Sequence, residues 1–152
     1  MREFAGDEGK MGMTITEKIL ARASGMAKLS PGEVTVVDVE TACLLDLSFL
    51  PEGWRRVLRV ADPSKVVIIF DHLVPAPTAQ AAECMRTGRE FAREFGIQRL
   101  HDVGADQGIS HAVIADRAYA LPGTVLVNAD SHTCSAGAFN CAARGVGGPD
   151  ML

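Results

Sequence analysis

The chemistry open to this sequence centres on histidine and aspartate. Asp71-His72 sets a carboxylate next to an imidazole, His111 follows Gly108-Ile109-Ser110, and Asp130-Ser131-His132-Thr133-Cys134 gathers an acid, an imidazole, two hydroxyls and a thiol. A carboxylate beside an imidazole can fix its tautomer and hold its pKa where protons move at neutral pH. Asp71 and His72 can therefore form an acid–base pair, and the same dipeptide can serve as a turn acid beside a surface histidine. The run from Asp130 to Thr133 can bind a carboxylate, a metal-bound water or a phosphate through side chains and helix-end N–H groups. It can equally be a polar helix cap, because Asp, Ser and Thr are all favoured there. Ser131 and His132 are neighbours, poorly placed to bond each other, and no G-x-S-x-G elbow occurs, which argues against a serine hydrolase. A mononuclear metal hydrolase using His72, His111 and His132 with Asp71 or Asp130 suits the donor preferences of zinc and iron. The spacing of these residues matches no compact metal motif.

Strand ends are the natural place for such groups. Val66-Val67-Ile68-Ile69-Phe70 is a short continuous apolar run that predicts a parallel strand covered on both faces, with Asp71-His72 just beyond it. Residues Thr124 to Ala129 predict another buried strand, ending at Asp130. Between them, Thr78 to Phe95 predicts a helix from its helix formers, the apolar set of Ala81, Met85 and Phe91, and Gly96 as a stop. Ile97 to Val103 predicts a strand, Gly104 to Gly108 a loop, and Ser110 the cap of a short helix through Tyr119 with His111 in its first turn. Upstream, Thr14-Ile15-Thr16-Glu17 opens a short amphipathic helix with a capping box. Val34 to Val39 predicts a strand from its β-branched residues. From Ala42 the crowded Leu44, Leu45, Leu47, Phe49 and Leu50 predict a helix, followed by a loop around Trp54. Ser135 to Arg144 predicts a helix of small residues before Gly145, Gly147 and Gly148. Alternating strands and helices imply a three-layer α/β/α sandwich with a mainly parallel sheet, whose ligand crevice lies outside the carboxyl ends of the strands. Residues 1–13, rich in Gly, Met and charge, predict a flexible leader, and 14–152 a single domain.

With 47% apolar and 22% charged residues, the composition is that of a globular domain with a core. The formal charge of -4 and the absence of any Lys/Arg run give no footprint for nucleic acid. Cys43, Cys84, Cys134 and Cys141 show no C-x-x-C spacing, and no signal-peptide pattern occurs, which points to a reduced, cytoplasmic setting. The apolar runs are too short to cross a bilayer, so no membrane association is expected.

Several blocks in one order carry a resemblance to a known family. They are Phe70-Asp71-His72-Leu73-Val74-Pro75-Ala76, Gly108-Ile109-Ser110-His111, Leu121-Pro122-Gly123, and Ala129-Asp130-Ser131-His132-Thr133-Cys134-Ser135-Ala136-Gly137-Ala138-Phe139. Together they resemble the aconitase superfamily, in its 3-isopropylmalate dehydratase and homoaconitase large-subunit branch, from about Thr14 to Leu152. The resemblance implies a [4Fe-4S] enzyme that removes and adds water on a hydroxy di- or tricarboxylic acid. By motif, Asp71 and His72 would assist departure of hydroxide, His111 would lie near the same hydroxyl, and Asp130 and His132 would complete the polar shell around an exchangeable iron. Ser131 and Thr133 would bind substrate, with Ser131 shaping the turn rather than acting as the base. The family's base is a serine on a separate swivelling domain or small subunit, and its three cluster cysteines lie beyond this region, so no metal ligand is expected within these residues. Cys84, Cys134 and Cys141 are read as small buried residues.

The resemblance also implies that the domain is incomplete at its C-terminus, because Asp150-Met151-Leu152 falls inside a block that continues in the family. This chain departs from the family at Thr41 to Ser48, where the family has a polar His- or Gln-containing segment, and at Ala112, where Gln is common. A non-catalytic remnant or carboxylate-binding module is the competing reading.

Overall fold

A computed structural model describes residues 12–151; the leader expected over residues 1–13 therefore lies, up to Met11, outside the described residues. Five short runs form one parallel sheet: β1 (Thr41–Leu45), β2 (Val66–Ile69), β3 (Arg99–His101), β4 (Val125–Asn128) and β5 (Ala142–Gly145), in the order β3-β2-β1-β4-β5. Among the described residues three α-helices accompany it, α1 (Ile15–Ala23), α2 (Ala79–Phe95) and α3 (Ser110–Asp116). The strand order grows outward from β1 in one direction and then restarts beside β1 with β4. A right-handed crossover must then place helices on opposite faces for the two directions. The packing agrees: α2 contributes Cys84, Met85, Phe91 and Ala92 to a core with Leu44, Ile68 and Phe70, while α3 contributes Val113 and Ile114 to a core with Cys43, Leu45, Val67, Ile69 and Leu126. The result is the expected three-layer α/β/α sandwich.

Local chemistry explains the secure elements. Thr14 accepts from the Glu17 N–H and Glu17 reaches back to the Thr14 N–H, the capping box that starts α1. Thr78 caps α2 and Gly96 closes it at φ 68°, a left-handed conformation that costs glycine nothing. Gly88 is where α2 comes down on the sheet: a Cβ there would lie 2.8 Å from the Phe70 ring and 2.9 Å from Phe49. Gly88→Ala is therefore expected to cost about 1–3 kcal/mol through overpacking, read as a lower denaturant midpoint at unchanged slope.

Three expected elements are corrected. Residues 34–39 are not a strand but an irregular segment, with Val34 and Val36 almost fully exposed; their β-branched shape finds no neighbouring strand to pack on. The helix expected from Ala42 is instead β1 followed by a 3-10 turn at Asp46–Phe49. A central strand buried on both faces shows no alternation, so its leucines cannot be told from a buried helix by pattern. The helix expected over 135–144 is a 3-10 helix at Thr133–Phe139 and then β5, with Asn140 breaking the chain at φ 60°. Ala and Gly fit there because β5 runs close against the Asp130 turn, and they conceal a strand's usual composition.

Candidate active site

Register decides which residues share an edge. Leu45 pairs with Ile69, Cys43 with Asn128, and Ile69 with His101, so the chain leaves β1, β2 and β4 on the same side of the sheet. The residues that follow are Asp46, Asp71-His72 and Asp130-Ser131-His132. The order of connection reverses between β1 and β4, and the crevice at such a switch point is where parallel sheets of this kind bind ligands.

Asp71 is the hinge of the arrangement. Its side chain is 6% exposed; Oδ1 lies 2.6 Å from His72 Nδ1, and Oδ2 accepts the Ser110 N–H at 2.7 Å. One carboxylate thus orients the imidazole and anchors the start of α3, which carries His111. Ser110 is buried as the first residue of that helix, not its cap; Ile109 holds the cap position and gives no side-chain bond. With Nδ1 turned to Asp71, His72 presents Nε2 to Asp130 Oδ2 at 3.5 Å. The other oxygen of Asp130 lies 3.1 Å from His111 Nε2, 3.5 Å from His132 Nδ1, and accepts the His132 backbone N–H at 2.6 Å. Asp71, His72, His111, Asp130 and His132 are therefore brought together at this edge.

The hydroxyls separate. Thr133 is buried and its Oγ1 donates to the Asp130 carbonyl at 2.6 Å, which assigns it to holding the turn, whereas Ser131 is exposed with its Oγ 3.4 Å from His132 Nδ1. Sequence reasoning missed Asp46. It is fully buried, accepts the Leu73 N–H at 2.6 Å and the Leu47 N–H at 3.0 Å, and lies 3.9 Å from His72 Nδ1. A charged residue at the end of an apolar run was the available signal, since acids are almost never fully buried unless paired. The fourth histidine, His101, is a core residue with both ring nitrogens engaged, by the Asp106 carbonyl and the Tyr119 hydroxyl.

Charge couples these groups. Burial acts to lower the His72 pKa, but the hydrogen bond and charge of Asp71, with the charges of Asp46 and Asp130, outweigh it and raise it above the ordinary value. Burial raises Asp46, with the charge of Asp71 adding to it against the two backbone N–H donors. Burial would raise Asp130 as well; the His132 N–H and the three facing imidazoles lower it instead. Because folding raises the His72 pKa, its contribution to stability is complete below the unfolded value near 6.5 and is lost as pH rises through the folded value. Thermal melts are expected to show a midpoint that falls above about pH 6.5, with this portion of the slope absent in His72→Gln.

The cysteines face elsewhere. Cys43 and Cys141 lie in the core beneath α3, Cys84 lies in the core beneath α2, and burial raises the pKa of all three. Cys134 is exposed, correcting the expectation of a small buried residue: Thr133 and Ala136, three apart, take the inward side of the 3-10 helix. No three thiolates converge among the described residues, so they do not fit a [4Fe-4S] cluster as its ligands.

The profile of the aconitase family (aconitate hydratase) matches residues 54–152. The chain belongs to the aconitase family. It is 50% identical over 137 residues to a 3-isopropylmalate dehydratase large subunit of Mycolicibacterium smegmatis, covering 90% of this chain and 32% of that one. It is 44% identical over 147 residues to a probable methanogen homoaconitase large subunit of Methanothermobacter thermautotrophicus, covering 91% and 34%, and 42% identical over 145 residues to that organism's probable 3-isopropylmalate dehydratase large subunit, covering 93% and 34%. The chain thus spans about a third of the length of these aconitase-family relatives. Among the described residues, no helix is long and apolar enough to cross a membrane.

Proposed function

We propose that this crevice is the acid–base portion of a [4Fe-4S]-dependent hydro-lyase or isomerase acting on hydroxy di- or tricarboxylic acids, of the 3-isopropylmalate dehydratase kind. The observation that carries the reading is the chain Asp71–His72–Asp130 at the switch point, with His111 and His132 on the same carboxylate. In the forward direction His72 Nε2 gives its proton to the substrate hydroxyl as the C–O bond breaks, so that the oxygen leaves as water. Asp71 keeps His72 in the required tautomer and stabilises its charged form. His111 bonds the same hydroxyl, Asp130 and His132 complete the polar shell, and Ser131 offers its hydroxyl to a substrate carboxylate. The proton on the neighbouring carbon goes to a base on a separate swivelling domain or small subunit, and the electron pair left behind forms the double bond. Thiolates outside these 152 residues hold the cluster. The domain of residues 14–152 works in the cytoplasm as one part of a larger assembly.

The test is to assemble this chain with the cluster-bearing and swivelling portions, establish iron and sulfide content, and assay a panel of hydroxy di- and tricarboxylic acids. Turnover of at least one acid is expected, with none from the chain alone. A fully loaded assembly that turns over no acid would favour a non-catalytic remnant, and activity of the isolated chain without iron would favour a hydrolase.

A further inference from the structure

Asp46, just beyond β1, is fully buried, and acids take such places almost only when something pairs with their charge. Among the described residues the basic side chain against it is His72, whose Nδ1 lies 3.9 Å from Asp46 Oδ1. We propose that Asp46 is a positioning residue for proton transfer by His72: one of its oxygens pins the backbone that leaves the imidazole, and its charge stands on the Nδ1 side of the ring. The role rests on the hydro-lyase reading of the crevice.

Parallel pairing brings the exits of β1 and β2 side by side, with Leu45 opposite Ile69. Asp46 Oδ2 reaches across to accept the Leu73 N–H at 2.6 Å, while Oδ1 accepts the Leu47 N–H of its own 3-10 turn at 3.0 Å. His72 is thereby held through both of its neighbours. Asp71 before it accepts the Ser110 N–H, and Leu73 after it donates to Asp46. The ring cannot be carried off its 2.6 Å contact with Asp71 by backbone motion unless one of these bonds breaks.

A neutral acceptor is enough to hold a turn, and burying a carboxylate costs far more than burying a hydroxyl. The same turn shows the cheaper solution: Ser48, also buried, accepts the Leu45 N–H at 3.1 Å with its hydroxyl. The acid at position 46 is explained by the imidazolium that forms beside it. The charged groups facing His72 are Asp46 beyond β1, Asp71 beyond β2 and Asp130 beyond β4. Against burial, which lowers the His72 pKa, all three favour its protonated form. Asp46 is the most deeply buried of them, so its charge is the least screened by solvent.

The test has one arm on the full chain and one on the assembled, cluster-loaded enzyme. On the unaltered chain, so that variant folding has no bearing, the Leu73 amide nitrogen should show a scalar coupling through the hydrogen bond to the Asp46 carboxyl carbon. Asp46→Asn keeps the size and one acceptor but removes the charge. In that variant the 15N signals of His72 should report a proton affinity at least about threefold lower, and kcat should fall about 10-fold or more with KM little changed. Ser48→Ala loosens the same turn without touching Leu73 or His72, and should do neither. No coupling between Leu73 and Asp46, an unmoved His72 titration in folded Asp46→Asn, or equal losses in Ser48→Ala would each overturn the proposal. Absence of turnover by the wild-type assembly would overturn the proton-transfer role together with the hydro-lyase reading, whereas wild-type turnover with an unmoved His72 in Asp46→Asn would overturn the assignment of Asp46 alone.

Discussion

Replacing His72 with alanine in the assembled enzyme is expected to lower kcat by about 10²–10⁴-fold, the range that positioned proton transfer contributes, with a much smaller change in KM. The imidazole is held on one side by Asp71 at 2.6 Å and faces Asp130 at 3.5 Å on the other. Its ring is partly exposed and outside the two apolar cores, so its removal leaves packing intact and the loss must be read as chemistry. Asp71→Asn should follow it with a smaller deficit, because the amide keeps the Ser110 contact but can no longer stabilise the charged imidazole. Iron and sulfide content and melting temperature should stay near wild type in both. A His72→Ala enzyme with full cluster content and unchanged turnover would remove the proton-transfer role.

Gly145→Ala carries the second large effect, and it acts through backbone. A Cβ at Gly145 would fall inside the van der Waals shell of the Asp130 carbonyl oxygen. That carbonyl cannot retreat cheaply, because Thr133 holds it through both its N–H and its hydroxyl, and β5 is itself paired to β4 along its length. The turn must shift, and with it the carboxylate that three histidines face. A destabilisation of about 3 kcal/mol is expected, measured by denaturant unfolding, together with loss of turnover in the assembled enzyme under conditions where the variant remains folded. Wild-type stability and activity would show that the turn tolerates displacement.

The parts of this fold that were legible were those where one physical signal acts alone. The helix α2 has its cap, periodicity and glycine stop written in sequence, and β2 is an unbroken apolar run that ends on an acid and a histidine. The same rule located Asp130 and His132 after β4. The runs that misled are those where two elements share one composition. In β1, burial on both faces erases the alternation that marks a strand, and its loss hid Asp46 as well. In β5, close approach to the Asp130 turn selects Ala and Gly, residues that score as helix or loop. The convergence of His111 on Asp130 lay beyond local pattern altogether, because it depends on the Asp71 bond to Ser110 that fixes the start of α3.

The most direct test of the central claim is loss of 18O from a hydroxy acid labelled at its hydroxyl, followed in the assembled, cluster-loaded enzyme with wild-type and Asp130→Asn chains side by side. If this crevice moves the elements of water, the wild-type enzyme should release the label to solvent at the rate of olefin formation, and the isosteric variant, folded and loaded, should release it orders of magnitude more slowly. Label retained by the wild-type enzyme during turnover, or released at equal rates by both, would contradict it.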